Sequence, residues 1–109
     1  MEYKTLRATG PAAIAVTLAP LKPWELEGIK IHLSAGGAAT DLTVTVDSGV
    51  SSVLDTVLLT QAMSAVADVD HRWSPTEKFL NGQDKIVVAY NNGGAATWGL
   101  EITYRLLGE

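Results

Sequence analysis

Apolar and polar residues change places at every second position over many short stretches of this chain, and Gly, Pro, Asn or Ser closes each stretch. Leu42, Val44 and Val46 alternate with Thr43, Thr45 and Asp47; Ile29, Ile31 and Leu33 alternate with Lys30 and His32. Side chains two apart share one face of a strand, so each stretch predicts one core face and one outer face. The punctuation at Gly10-Pro11, Pro20, Pro23, Gly36-Gly37, Ser48-Gly49, Pro75, Gly82 and Gly93-Gly94 is too closely spaced for long helices. The predicted strands are 3–8, 12–19, 25–34, 41–47, 53–60, 66–73, 84–90 and 96–105. About eight short strands predict an all-β fold: a single antiparallel β-sandwich, jelly-roll-like, with one domain over residues 1–109.

Three local features refine the pattern. Trp24 and Leu26 lie out of phase with Ile29, which predicts a β-bulge near Glu27-Gly28. Ile86, Val88 and Tyr90, then Trp98, Leu100, Ile102 and Tyr104, form two alternating runs around Asn91-Asn92-Gly93-Gly94, which reads as a β-hairpin with both runs facing the core. Between Val53 and Val66 the apolar spacing suits a helix face as well as a strand; β-branching at Val53, Thr56, Val57 and Thr60 favours a strand, followed by a turn or short helix at Gln61-Ala62-Met63.

Composition narrows the function. Twelve acidic residues against eight basic ones give a net charge of −4, with no cationic cluster to displace counterions from phosphate, so nucleic acid is not an expected partner. The absence of cysteine removes disulfides, thiolate nucleophiles and thiolate-bound zinc. Met1-Glu2-Tyr3-Lys4 shows no charged segment leading into an apolar one, and no apolar run reaches bilayer length, so the expectation is a chain made in a cytoplasm without membrane contact.

Candidate chemistry is sparse. Asp68, Asp70 and His71 form the densest polar cluster, two carboxylates beside an imidazole, yet a metal site needs further convergent ligands and Arg72 offers either acid a partner. Glu25 and Glu27, with α-carbons roughly 7 Å apart in an extended strand, fall in the range of paired glycosidase acids, but neighbouring Lys22 and Lys30 suit a charged edge better. His32 points away from Ile31 and Leu33, toward solvent or an interface, and no Gly-x-Ser-x-Gly elbow accompanies either histidine. No catalytic residue, cofactor or metal is assigned.

Two kinds of binding surface remain. Trp24 after Pro23 and Trp73 before Ser74-Pro75 stand at strand ends, where exposed rings would stack on a sugar, a surface glycan being the ligand of this alternative. Val87 and Ala89, on the face opposite Ile86 and Val88, are apolar for an outer surface and suggest cover by a loop or another subunit. Tyr3, Leu6 and Arg7 in the first strand would either pair into the sandwich or add to the edge of a partner.

The order Gly28-Ile29-Lys30-Ile31-His32-Leu33-Ser34-Ala35, Leu42-Thr43-Val44-Thr45-Val46-Asp47-Ser48, Leu54-Asp55-Thr56-Val57-Leu58-Leu59, Gly82-Gln83-Asp84-Lys85-Ile86-Val87-Val88 and Thr97-Trp98-Gly99-Leu100-Glu101-Ile102 resembles small β-sandwich structural proteins of tailed bacteriophages. The resemblance implies a non-enzymatic virion protein, foremost a capsid decoration or cement protein, commonly a homotrimer. Such a protein sits on the capsid surface, is assembled in the host cytoplasm and contacts the major capsid protein. A tail, baseplate or neck protein is the neighbouring alternative.

Overall fold

Two antiparallel sheets take up the alternating stretches. The computed structural model describes residues 3–73, 79–80 and 82–107. Its strands are β1 (Tyr3–Gly10), β2 (Ile14–Leu18), β3 (Trp24–Leu33), β4 (Asp41–Asp47), β5 (Thr56–Ala62), β6 (Asp68–Arg72), the two-residue β7 (Phe79–Leu80), β8 (Lys85–Tyr90) and β9 (Trp98–Leu106). One sheet, here the charged sheet for its outer face, has the order β1-β9-β3-β6 with β7 on β3; the other, the plain sheet, has the order β2-β8-β4-β5. The fold is a β-sandwich, as the alternation predicts.

The core lies between the sheets and is built from the phase-matched residues. From the charged sheet come Leu26, Ile29, Ile31, Leu33, Leu100 and Ile102; from the plain sheet come Ile14, Leu42, Val44, Ile86, Val88 and Tyr90. Removing these side chains from water is the principal driving force, roughly 1.5–3 kcal/mol for each fully buried aliphatic residue. The bulge falls where the phase break predicts it. The pairing of β3 with β9 slips between Leu26 and Gly28, so Trp24 and Leu26 face the core together with Ile29 despite the odd spacing.

The expected hairpin does not form. β8 pairs with β2 and β4, whereas β9 pairs with β1 and β3, so the two runs belong to opposite sheets. The connection from Asn91 to Thr97 is too long for a two-residue hairpin turn and is fastened to a third segment. Asn92 is buried with φ 54°, its Nδ2 donating to the Ala12 and Ala96 carbonyls at 2.8 Å each and its Oδ1 accepting from the Ala96 N–H at 3.1 Å. The Trp98 indole donates to the same Ala12 carbonyl at 2.8 Å, so the loop before β2 and the crossover into β9 share one polar anchor. Both runs still face the core, since parity is independent of the pairing partner.

The ambiguous stretch resolves as a strand, with its helical turn placed before it. A 3-10 turn covers Ser52–Leu54 and β5 begins at Thr56, so Val53 is exposed rather than the first residue of a strand. After β5, Gly37 closes against this chain segment: its amide donates to Val66 and its carbonyl accepts from Ala65. A Cβ at residue 37 would lie 2.3 Å from the Met63 carbonyl oxygen, which explains glycine there.

Candidate functional site

The two tryptophans proposed as sugar platforms are not at the surface. Trp24 has no exposed area and packs edge-on against Tyr104, with ring centroids 5.8 Å apart. Trp73 is 7% exposed and meets His71 edge-on at 4.6 Å. Each stands at a strand end, but the inward phase of its strand carries the ring into the core. Their expected exposure is corrected, and with it the stacking site.

Glu25 and Glu27 are both committed to arginines. Glu25 is wholly buried and accepts from Arg105 Nη2 at 2.9 Å and Nε at 3.2 Å; Arg105 in turn lies over the Tyr3 ring at 5.6 Å. Glu27 accepts from Arg72 Nη1 through both oxygens, at 2.7 and 2.9 Å, and Arg72 also reaches Asp70 at 3.5 Å. The hydrogen bonds to Glu25 and Glu27 raise the two guanidinium pKa values above the ordinary arginine range. Each acid thus acts as an anchor for a neighbouring strand. His71 points inward, away from Asp68 and Asp70, and no group of three metal-ligating side chains converges among the described residues.

The outer face of the charged sheet carries an ordered arrangement. Register places Arg7, Glu101, Lys30 and Asp70 side by side across four strands, alternating in sign. The next row is Thr9, Gly99, His32 and Asp68. Arg7 Nε pairs with Glu101 at 3.1 Å and His32 Nδ1 with Asp68 at 2.6 Å. His32 is therefore outward, as its phase predicts. Gly99 contributes no side chain, and a depression of about 520 Å³ opens beside it, lined by Arg7, Lys30, His32, Asp70 and Glu101 among others.

The plain sheet differs in kind. Its outer face presents the row Ala15, Ala89, Thr43, Thr60 and then the row Thr17, Val87, Thr45, Val57, with no charge in either. Charge returns at its two ends: Lys85 meets Asp47 at 3.6 Å at one, and exposed Asp41, in phase with Thr43 and Thr45, stands beside Ala62 at the other. Val87 and Ala89 are half-buried in the middle of this face. Val57, at the β5 end of the second row, is exposed; the turn before β5 carries exposed Val53 and Leu54, and Leu54 lines a depression with Val46, Ser48 and Gln83. Alternation reads Val53 as the first residue of a strand; the Ser51-Ser52 pair in the sequence is the signal of the turn that precedes β5.

The N-terminal candidates separate by phase. β1 pairs with β9 along its whole length and forms one edge of the charged sheet, so it is an integral strand. Leu6 packs against the core, which corrects its assignment as a contact residue, while Tyr3 and Arg7 project outward. The interface candidates His32, Tyr3 and Arg7 thus lie on one outer face and Val87 and Ala89 on the other. A scan against protein-family models finds no match to this chain, and a search of the curated proteins finds none.

Proposed function

We propose that the chain is a non-enzymatic structural protein of a tailed-phage virion, a capsid decoration protein that reinforces the head through protein contacts. The observation that carries this reading is the uncharged outer face of the plain sheet, two full cross-strand rows of Ala, Thr and Val. A sheet face bearing only short uncharged side chains gives up little hydration and little side-chain entropy when another protein covers it. Exposed Val57 at the end of the second row, which also holds half-buried Val87, adds apolar area to this face. The order β1-β9-β3-β6 facing β2-β8-β4-β5, with the chain crossing repeatedly between sheets, is in our reading a jelly-roll winding, a fold shared by viral capsid proteins. The resemblance of the strand sequences to small phage sandwich proteins points the same way.

In this role the protein prefers the assembled coat lattice to free coat subunits, and stabilises the shell by mass action. The test is to add purified protein to undecorated capsids and measure sedimentation with the particles together with their thermal disruption temperature. Co-sedimentation with a raised disruption temperature supports the proposal. Failure to bind, with particle stability unchanged, refutes it.

A further inference from the structure

We infer that the depression around Gly99 on the charged sheet is a binding site for a neutral saccharide. Beside the row Arg7, Glu101, Lys30 and Asp70, the next row near the strand ends has no side chain at residue 99, and the depression opens there. A Cβ placed at Gly99 would meet nothing within 4 Å, so close packing does not require glycine there; the glycine keeps space open. The volume of about 520 Å³ lies within the range of small-molecule sites.

The chemistry of the rim selects the class of ligand. Two cations, Arg7 and Lys30, stand among Glu101 and Asp70, with Asp68 beyond them tied to His32. Donors and acceptors alternate at the spacing of adjacent strands, roughly 4.8 Å, and their charges nearly cancel. A phosphate or carboxylate would meet repulsion from the acids, and a metal would meet the cations. A polyhydroxylated ring carries no net charge, and each of its hydroxyls can both donate to a carboxylate and accept from Lys or Arg. Among the described residues Lys30 has no salt-bridge partner, so its three donors are available to such hydroxyls. The bare Gly99 backbone and the methylene stem of Lys30 supply a surface for the ring's C–H face.

The site is separate from the docking face on the plain sheet, so it stands or falls independently of capsid binding. The test is saturation-transfer NMR and titration calorimetry of the full chain with glucose, galactose, N-acetylglucosamine, cellobiose, lactose and chitobiose, with inorganic phosphate and glucuronate as charged probes. The expected result is saturable binding of at least one neutral sugar, with Kd on the order of millimolar. Gly99→Val puts a strand-favouring side chain into the depression and should weaken binding about tenfold or more while leaving the thermal midpoint near that of the parent. Lys30→Ala provides a second reading at an exposed position should Gly99→Val fold poorly, with a similar loss expected. Binding of none of the neutral sugars, binding only of phosphate or glucuronate, or neutral-sugar binding unchanged in folded Gly99→Val or in Lys30→Ala would overturn the inference.

Discussion

Asn92 combines a backbone role and a side-chain role at one position. Its left-handed backbone turns the chain out of β8, and its buried amide ties that turn to Ala12 and Ala96. Asparagine tolerates this conformation better than other residues with a side chain, apart from aspartate, and supplies both the donors and the acceptor the site needs. Asn92→Ala leaves buried carbonyls without their donor and should lower stability by about 2–3 kcal/mol in urea denaturation. Asn92→Asp, which turns carboxylate oxygens toward the same carbonyls, should cost at least as much near neutral pH. A similar contrast separates two arginines. Arg105 covers the buried Glu25, whereas Arg7 pairs with Glu101 in the open. Arg105→Ala should therefore lower the thermal midpoint far more than Arg7→Ala, because it strands a carboxylate inside the protein while the exposed pair contributes little. With the Arg105 pKa raised by its hydrogen bonds to Glu25, its charge is lost only above the ordinary arginine range, so this contrast should persist through neutral and moderately alkaline conditions.

At the scale of the element, what parity dictates was legible in the sequence and what pairing dictates was not. Leu42, Val44, Ile86, Val88, Leu100 and Ile102 are buried as their alternation requires, because the two-residue period is a local property. The partners of β8 and β9 depend on the whole winding, and the run Asn91-Asn92-Gly93-Gly94 carries the same turn chemistry whether the chain doubles back or crosses to the opposite sheet. Trp24 and Trp73 show a related confusion, since flanking prolines mark a strand's end without saying which face its last side chain takes. Among the described residues only β4 and β5 pair as neighbours in sequence, so the remaining strand pairs must close long loops before they are formed. The bulge in β3 is the most sensitive point of this arrangement. Deleting Glu27 would remove the extra residue and turn Trp24 and Leu26 outward while Glu25 turned in. The expected outcome is loss of the cooperative thermal transition followed by circular dichroism; a cooperative transition close to that of the parent would show that the bulge does not set the phase of β3.

At the scale of the whole molecule, one sandwich presents two outer surfaces of opposite character. The charged sheet has alternating ion pairs and a depression; the plain sheet has rows of Ala, Thr and Val with exposed apolar residues at one end. The proposed site was only partly readable beforehand. Val87 and Ala89 are apolar for an outer face in the sequence itself, but the rows around them exist only once β2, β4 and β5 are laid beside β8. Charge introduced on this face meets solvent in the free protein, where surface substitutions are usually worth within about 0.5 kcal/mol. In a covered interface the same charge must be desolvated without a partner, a cost of several kcal/mol. The most direct measurement is therefore co-sedimentation of Thr17→Lys and Thr45→Lys with undecorated capsids, beside Lys30→Ala on the opposite face and the parent chain. The account predicts that both lysine variants keep the parent's thermal midpoint and lose the capsids, while Lys30→Ala binds like the parent. Undiminished capsid binding by the two lysine variants would contradict it.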